Sequence, residues 1–547
     1  MELSHFIQSS QVENVRLYQP LKPPVTGTLC VSSHHLLLSA SPLEGKIQEK
    51  CELWLLHCAV DSIEKSVHNF AVLKSKDSGQ DGESRVSSGI VTLKCKDLRV
   101  IQLEIPAMEE TLNVARSVQA LSALDSVTLT YPFFYRPAGC KLGEGWPTDT
   151  MENFYTKLKA ETDCWRLSLV NANFRVCSSY PEKVIVPVSC SDATLRKAAA
   201  FRKGCRFPIL CYYHANNKAV LLRSAQPAMF GSIYRGWEED EMLLNAVLVV
   251  GQGCGFIIDI HNEKEVKQVR RKGSSTKRKA RLSNWRVLHR PLEGGCSLQS
   301  SLTRLVQACY ETYLGMNRWL SKLEASQWMS HIKEALSTAG LVVECVEREG
   351  TSVLVQGEEG TDNTLLVTSL AQLILSAHCR TVAGFQDLIE REWLQAGHPF
   401  QLRCARSGWS QGRCQQECPY FLLFLDCCFQ LMRQFPRAME FNDDFLCMLA
   451  SHAYCSEYGT FLCNNENERL YYKVREQTNS LWNFMNSFKV RQHLLNPIYE
   501  ENPLVIWPSV APQSIQLWEG FFLRHLVSIE DKEMAWKRIQ NLVDESY

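Results

Sequence analysis

The chain of 547 residues carries 23 cysteines, and a thiol followed by five residues and an arginine is the pattern of a phosphate-cleaving site. On a strand–loop–helix, the thiolate attacks phosphorus, the intervening N–H groups cradle phosphate oxygens at a helix N-terminus, and the guanidinium clamps two oxygens. Three pairs have the spacing: Cys190 with Arg196, Cys427 with Arg433, and Cys463 with Arg469. None has glycine in the interval, where backbone amides must approach a phosphate. Cys427 and Arg433 also lie in a helical pattern, whose own hydrogen bonds occupy those amides. About one or two chance matches are expected from so many cysteines, so all three pairs read as decoys.

Two other patterns are weak. Gly251, Gly253 and Gly255 resemble a dinucleotide loop, but the third glycine comes one residue early and a strand pattern, Phe256–Ile260, stands where a helix should begin. His398, Cys404, Cys414 and Cys418 lack the paired short knuckles of a structural zinc site. No metal or cofactor is expected.

The informative segment contains no Cys-x5-Arg match. Ser352-Val-Leu-Val-Gln356 reads as a strand, residues 357–363 (Gly-Glu-Glu-Gly-Thr-Asp-Asn) as a loop, and Thr364–Leu375 as an apolar helix. Here the sequence resembles the myotubularin phosphoinositide phosphatases, whose active members carry Val-His-Cys-Ser-Asp-Gly-Trp-Asp-Arg-Thr. In that register Gly357 stands at the nucleophile's position and Asn363 at the arginine's, while Gly360, Asp362 and Thr364 match. The resemblance therefore implies a catalytically inactive member. Its signature loop is degenerate: Gln356, Gly357, Glu358, Glu359, Gly360, Thr361, Asp362 and Asn363.

Physical chemistry agrees. Gly357 has no side chain, so no phospho-enzyme can form on it. Asn363 lacks the guanidinium fork, and each lost charge-assisted hydrogen bond costs about 1.5–3 kcal/mol. Glu358, Glu359 and Asp362 are expected to crowd the loop unopposed. A carboxylate about 4 Å from a phosphate charge costs roughly 4 kcal/mol at an effective dielectric near 20.

The resemblance extends along nearly the whole chain. Gly27-Thr-Leu, Glu52-Leu-Trp-Leu-Leu and Lys94-Cys-Lys-Asp are similar to the family's N-terminal PH-GRAM module. Trp165-Arg-Leu-Ser, Ser179-Tyr-Pro and the segment from Phe201-Arg to Arg206-Phe-Pro-Ile-Leu resemble the start of its phosphatase domain. Gly384-Phe, Glu390-Arg-Glu-Trp-Leu and Gly397-His-x-Phe resemble the region after the loop, and Leu517-Trp-Glu-Gly-Phe-Phe-Leu-Arg its end. Departures also occur. Asp259-Ile-His-Asn and Arg271-Lys-Gly-Ser-Ser replace the stretches that active members place near the pocket. The coiled coil that usually ends the family breaks off about two heptads in.

The elements that must position this loop follow from periodicity. Val91, Leu93 and Cys95, then Ile101, Leu103 and Ile105, alternate with polar residues around a Lys96-Asp97 turn, predicting a two-faced hairpin. Thr28–Val31, Leu36–Ser39 and Glu52–Leu56 add short strands. Leu112, Ala115, Val118 and Leu121 recur at helical spacing behind an acidic first turn. Beyond a proline- and aromatic-rich connector the pattern becomes mixed. Strands are predicted at Ile209–Tyr213, Val220–Arg223, Phe256–Ile260 and Ser352–Gln356, and helices around Glu239–Val249, Leu302–Tyr313, Ala325–Ser337, Phe385–Leu394 and Phe421–Phe435. The fold class is accordingly α+β and α/β multidomain. The resemblance implies a PH-GRAM β-barrel-like module (1–125) and a connector (126–150) before a large cysteine-phosphatase-like α/β domain (151–526) and a terminal helix or truncated coiled coil (527–547).

Composition restricts the function classes. Apolar residues make up 45% and charged residues 22%, which excludes a disordered scaffold, a collagen and a coiled-coil rod. Lys+Arg and Asp+Glu both number 59, so no net charge steers the chain to nucleic acid. The odd cysteine count, the missing Asn-x-Ser/Thr acceptors and the lack of an apolar leader or 18-residue apolar stretch point to a reduced, cytoplasmic chain.

Local features suggest surfaces. Between Glu263 and Arg281 nine basic residues face two glutamates: Lys264, Lys267, Arg270, Arg271, Lys272, Lys277, Arg278, Lys279 and Arg281. This is a solvated loop, a weak contact with an anionic, phosphoinositide-bearing membrane or with a partner, or a nuclear address. Ile529, Trp536 and Val543 lie seven apart with Ile539 between them, a candidate partner surface. The resemblance implies an adaptor that pairs with an active myotubularin, or with itself, peripherally on endomembranes. The alternatives are an enzyme with a relocated nucleophile acting on phosphatidylinositol 3-phosphate or its 3,5-bisphosphate, and a stand-alone phosphoinositide-binding module.

Overall fold

The computed structural model describes residues 3–40, 51–67, 88–139, 141–148, 150–228, 237–250, 253–261, 284–311, 315–410 and 416–526. The basic stretch Lys264 to Arg281, Cys414 and the heptad-spaced Ile529, Trp536, Ile539 and Val543 lie outside them.

The N-terminal strands are β1 (Gln11–Tyr18), β2 (Val25–Val31), β3 (His35–Ala40), β4 (Cys51–Leu56), β5 (Val60–Val67), β6 (Gly89–Cys95) and β7 (Val100–Ile105). They form one antiparallel sheet in the order β4-β3-β2-β1-β7-β6-β5. The three-residue turn His57–Ala59 joins β4 directly to β5, the two edge strands. A connection that short requires the sheet to curl until its edges meet, which gives the barrel-like form. The alternation read in β6 and β7 is the burial pattern: Val91, Leu93, Cys95, Leu103 and Ile105 are fully buried. The helix Met108–Ser122 lays Val114, Ala115, Val118 and Leu121 on the same core. This β-rich region fits a PH-GRAM-like module.

The central sheet of the second part contains β10 (Ile209–Tyr213), β11 (Val220–Ala225), β12 (Gly255–Asp259), β13 (Trp285–His289) and β14 (Ser352–Gly357) in the order β10-β11-β14-β12-β13. All neighbours are parallel except β10 with β11. A two-stranded ladder, β8 (Trp165–Ser168) with β9 (Val184–Pro187), stands apart. Strand β14 is central and buried along its whole length. The apolar helix after it, Asn363–Leu375, is buried from Thr364 to Leu375. Around it pack the helices Trp328–Glu347 and Tyr420–Gln434. A parallel sheet covered on both faces needs such uninterrupted apolar runs.

The predicted elements recur with corrections. Strands β1, β5, β8, β9 and β13 have no counterpart in the sequence reading, because short or polar-alternating segments give little signal. The pattern around Ala325–Ser337 is two helices, Met316–Ser326 and Trp328–Glu347, divided by Gln327 in the left-handed region at φ 64°. The pattern Phe385–Leu394 is an α-helix, Val382–Ile389, running into a π-helical turn, Glu390–Leu394. That turn brings buried charges to partners: Glu390 accepts from Trp482 Nε1 at 2.7 Å, and Glu392 from Arg223 Nε at 2.9 Å.

The two parts are docked by the β6–β7 turn. Leu98, at φ 72°, is buried among the apolar residues of the larger core rather than of its own module. Trp409 Nε1 donates to Cys95 O at 3.0 Å, and Arg524 Nη2 to Asp97 O at 2.8 Å. On the neighbouring strand, the buried Asp61 carboxylate accepts from Ser407 N at 3.0 Å and Ser407 Oγ at 2.6 Å.

Candidate functional site

Gly357 ends β14, the central strand of the five, and the chain turns from it into the loop before helix Asn363–Leu375. Ligands in open α/β sheets bind outside the carboxyl ends of the strands, and a cavity of about 290 Å³ lies there. Its lining includes Gly357 and most of the loop, with Ile260 and His261 after β12, Gly294 and Gly295 before the Cys296–Tyr310 helix, and Arg403 and Tyr420. The strand, loop and helix read from the sequence are thus present, and the loop borders this cavity.

The loop backbone is fixed by one glycine and one buried arginine. Gly360 has φ +68°, and a Cβ there would come within 2.5 Å of Ala225 N, so this position requires glycine. Its carbonyl accepts from Arg206 Nη2 at 2.8 Å. The buried Arg206 also donates to Ala396 O at 2.9 Å and to Ser179 Oγ at 2.8 Å. A single guanidinium therefore ties the loop to two distant segments. The Arg206 motif is visible in the sequence but this role is not, since nothing local announces which carbonyl an arginine will reach.

The expectation of unopposed carboxylates is corrected. Arg403 Nη2 donates to Asp362 Oδ2 at 2.8 Å, and His398 Nδ1 stands 3.1 Å from Asp362 Oδ1. Burial pushes the Asp362 carboxyl up, but His398 and Arg403 outweigh it and hold the group well below the usual carboxylate range. Burial conversely lowers His398 against the pull of Asp362. Glu358 and Glu359 are exposed and share Lys203, whose Nζ is 2.5 Å from one and 3.6 Å from the other. On the opposite wall Asp259 pairs with His261 and with His289 Nδ1, the latter at 3.3 Å.

Asn363 Nδ2 donates to Glu293 O at 3.3 Å. Tyr420 Oη accepts from Gly295 N at 2.8 Å beside it. Asn363 and Tyr420 thus fix the cavity wall. Among the described residues no cysteine lines the cavity. Cys427 lies inside the helix Tyr420–Gln434, Cys463 in a small apolar cluster with Val127, Phe133 and Val474, and Cys190 in the core beside β9. Burial pushes all three thiols up, Cys463 to about 11, so none is held as a thiolate. Of the rejected zinc set, His398 faces Asp362, and Cys418 Sγ donates to Gly295 O at 3.3 Å. Gly255 of the glycine triplet begins strand β12, not a helix.

Residues 130–470 match the family described as "Myotubularin-like phosphatase domain". The chain is 49% identical over 546 residues to a protein of Bos taurus named "Myotubularin-related protein 9-like", covering 99% of this chain and 96% of that protein. It is 48% identical to human "Myotubularin-related protein 9" over 547 residues, or 100% of this chain and 93% of that protein. To human "Phosphatidylinositol-3-phosphate phosphatase MTMR7" it is 31% identical over 500 residues, 90% of this chain and 72% of that protein. With the signature loop in its strand–loop–helix setting and these similarities over its whole length, the chain belongs to the myotubularin family.

Proposed function

We propose that this chain is a pseudophosphatase that acts as an adaptor or regulator of catalytically active myotubularin-family phosphatases. The observation that carries the reading is that Gly357 and Asn363 stand at the end of β14, where the resemblance places the nucleophile and the phosphate clamp. A loop kept in shape by Gly360 and Arg206 supports selection for the fold rather than for turnover. The partner is a family member that hydrolyses phosphatidylinositol 3-phosphate, the activity printed in the name of the 31% identical human relative. Pairing is a heterodimer formed in the cytoplasm, peripherally on endomembranes. The terminal heptads contribute part of the surface and the globular domains the rest, because two heptads alone are marginal in water. The Lys264–Arg281 stretch adds a weak, salt-sensitive attraction to anionic lipid, since basic residues act only within about 8 Å at physiological salt. No helix among the described residues is long and apolar enough to cross a membrane.

Two measurements test the proposal. Purified chain incubated with short-chain phosphatidylinositol 3-phosphate should release no phosphate above background. Full-length chain should co-purify with an active family phosphatase, and a form lacking residues 527–547 should do so more weakly. Turnover would overturn the pseudophosphatase reading, and failure of both forms to bind would overturn the adaptor role. Neutralising Lys277, Arg278 and Lys279 together should lower binding to phosphatidylserine vesicles at low salt.

A further inference from the structure

Cys58 sits in the His57–Ala59 turn between β4 and β5, and Cys455 directly follows the helix Asp443–Tyr454. They belong to opposite sides of the docked interface, yet their sulfurs are 2.8 Å apart. Both cysteines are free, and neither residue is fully buried. Both pack on the apolar core of the N-terminal module. The contact is held on its flank: Asp61, three residues beyond Cys58, binds Ser407, and Trp409 binds Cys95 O. The approach of the sulfurs is thus set by the docking of the two parts.

We infer that Cys58 and Cys455 form a redox-sensitive clasp, a site of reversible modification by hydroperoxides that joins the N-terminal module covalently to the helical part of the chain. In the first step the Cys58 thiolate attacks a peroxide oxygen. The O–O bond breaks, the leaving hydroxide (or alkoxide) takes up a proton, and Cys58 becomes a sulfenic acid. In the second step the Cys455 sulfur attacks the Cys58 sulfur. The S–O bond breaks, hydroxide leaves and takes the Cys455 proton as water, and a disulfide remains. Two thiols are oxidised and one peroxide is reduced, and a thiol reductant reverses the change. The two steps run equally with the sulfurs exchanged, since either can donate in the hydrogen bond they share. Closing this bond stops the module from undocking.

The test uses the full reduced chain, treated with a small excess of hydrogen peroxide and quenched with iodoacetamide. Peptide mass spectrometry without reduction should find the Cys58 peptide linked to the Cys455 peptide. Alkylation after denaturation should count two thiols fewer than the 23 in the sequence, with both restored by dithiothreitol. The link should vanish in Cys58→Ser and in Cys455→Ser. Hydrogen exchange in the β4–β5 turn and at the end of the Asp443–Tyr454 helix should slow in the oxidised chain. Cys58 and Cys455 staying alkylatable while other cysteines oxidise would overturn the proposal, as would oxidation of each to sulfinic acid without a link. A link that leaves exchange unchanged would overturn the clasp. The first measurement is made on the unaltered chain, so it does not depend on either variant folding.

Discussion

A Cβ on Gly357 would stand 2.4 Å from the Oγ1 of Thr364 and 3.3 Å from two carbons of Ile260. A side chain at this position would meet a residue of the next helix and one after β12. Both neighbours are buried, Thr364 fully, so the glycine is part of the packing.

From this contact we predict that Gly357→Cys with Asn363→Arg does not restore phosphate release from phosphatidylinositol 3-phosphate. The new side chain must displace Thr364, and the new arginine gives up the bond to Glu293 O and enters a wall closed by Gly294 and Tyr420. Catalytic groups act as a unit, so two of them in a reshaped cavity supply little. Robust hydrolysis by the double variant would show the rest of the pocket to be competent.

Arg206→Lys should lower stability by about 3 kcal/mol in urea denaturation. The planar fork serves Gly360 O, Ala396 O and Ser179 Oγ at once. An ammonium cannot reproduce that geometry, and hydrogen bonds to charged groups contribute roughly 1.5–3 kcal/mol each without being additive. A loss under about 0.5 kcal/mol, the range of ordinary surface changes, would mean the loop does not depend on this brace.

Asp362→Asn should cost about 1.5–3 kcal/mol at pH 7, the usual contribution of hydrogen bonds to a charged group, because the pair with Arg403 is only partly buried. Because the folded carboxyl titrates below its unfolded value of about 3.9, its stabilising contribution is present above that pH. It is lost as pH falls toward the folded value. The gap between the variant and the unaltered chain should therefore narrow below about pH 4. In a double-mutant cycle with Arg403→Met the combined loss should be smaller than the sum.

Asp426 makes the opposite prediction. It is fully buried in the Tyr420–Gln434 helix, and burial raises it to about 7 against the hydrogen bonds from Trp328 Nε1 at 2.8 Å and Gln430 Nε2 at 2.9 Å. Between about pH 4 and 7 the folded chain holds a proton that the unfolded chain has lost. This group's contribution thus falls as pH rises, by up to about 1.4 kcal/mol per pH unit. Asp426→Asn should be less stable at pH 5, since its amide sets a donor against Trp328 or Gln430, and its stability should lack that slope. Equal slopes in the two chains would refute the assignment.

How much of this is legible in the sequence alone depends on the distance over which each fact is decided. The hairpin of Val91 to Ile105, the apolar helix after the loop and the absent thiol at Gly357 are readable, because alternation, helical periodicity and a missing side chain are properties of neighbouring residues. A phosphate-transferring cysteine cannot be supplied to Gly357 by any fold. The partners of the loop are not readable. Lys203, Arg206, His398 and Arg403 reach it from other segments, and they convert the expected repulsive cluster into paired charges. The burial of Leu98 in the larger core and the meeting of Cys58 with Cys455 are likewise decided only when the curled sheet docks. Backbone preference is local, whereas charge pairing and burial depend on which distant surfaces the folded chain brings into contact.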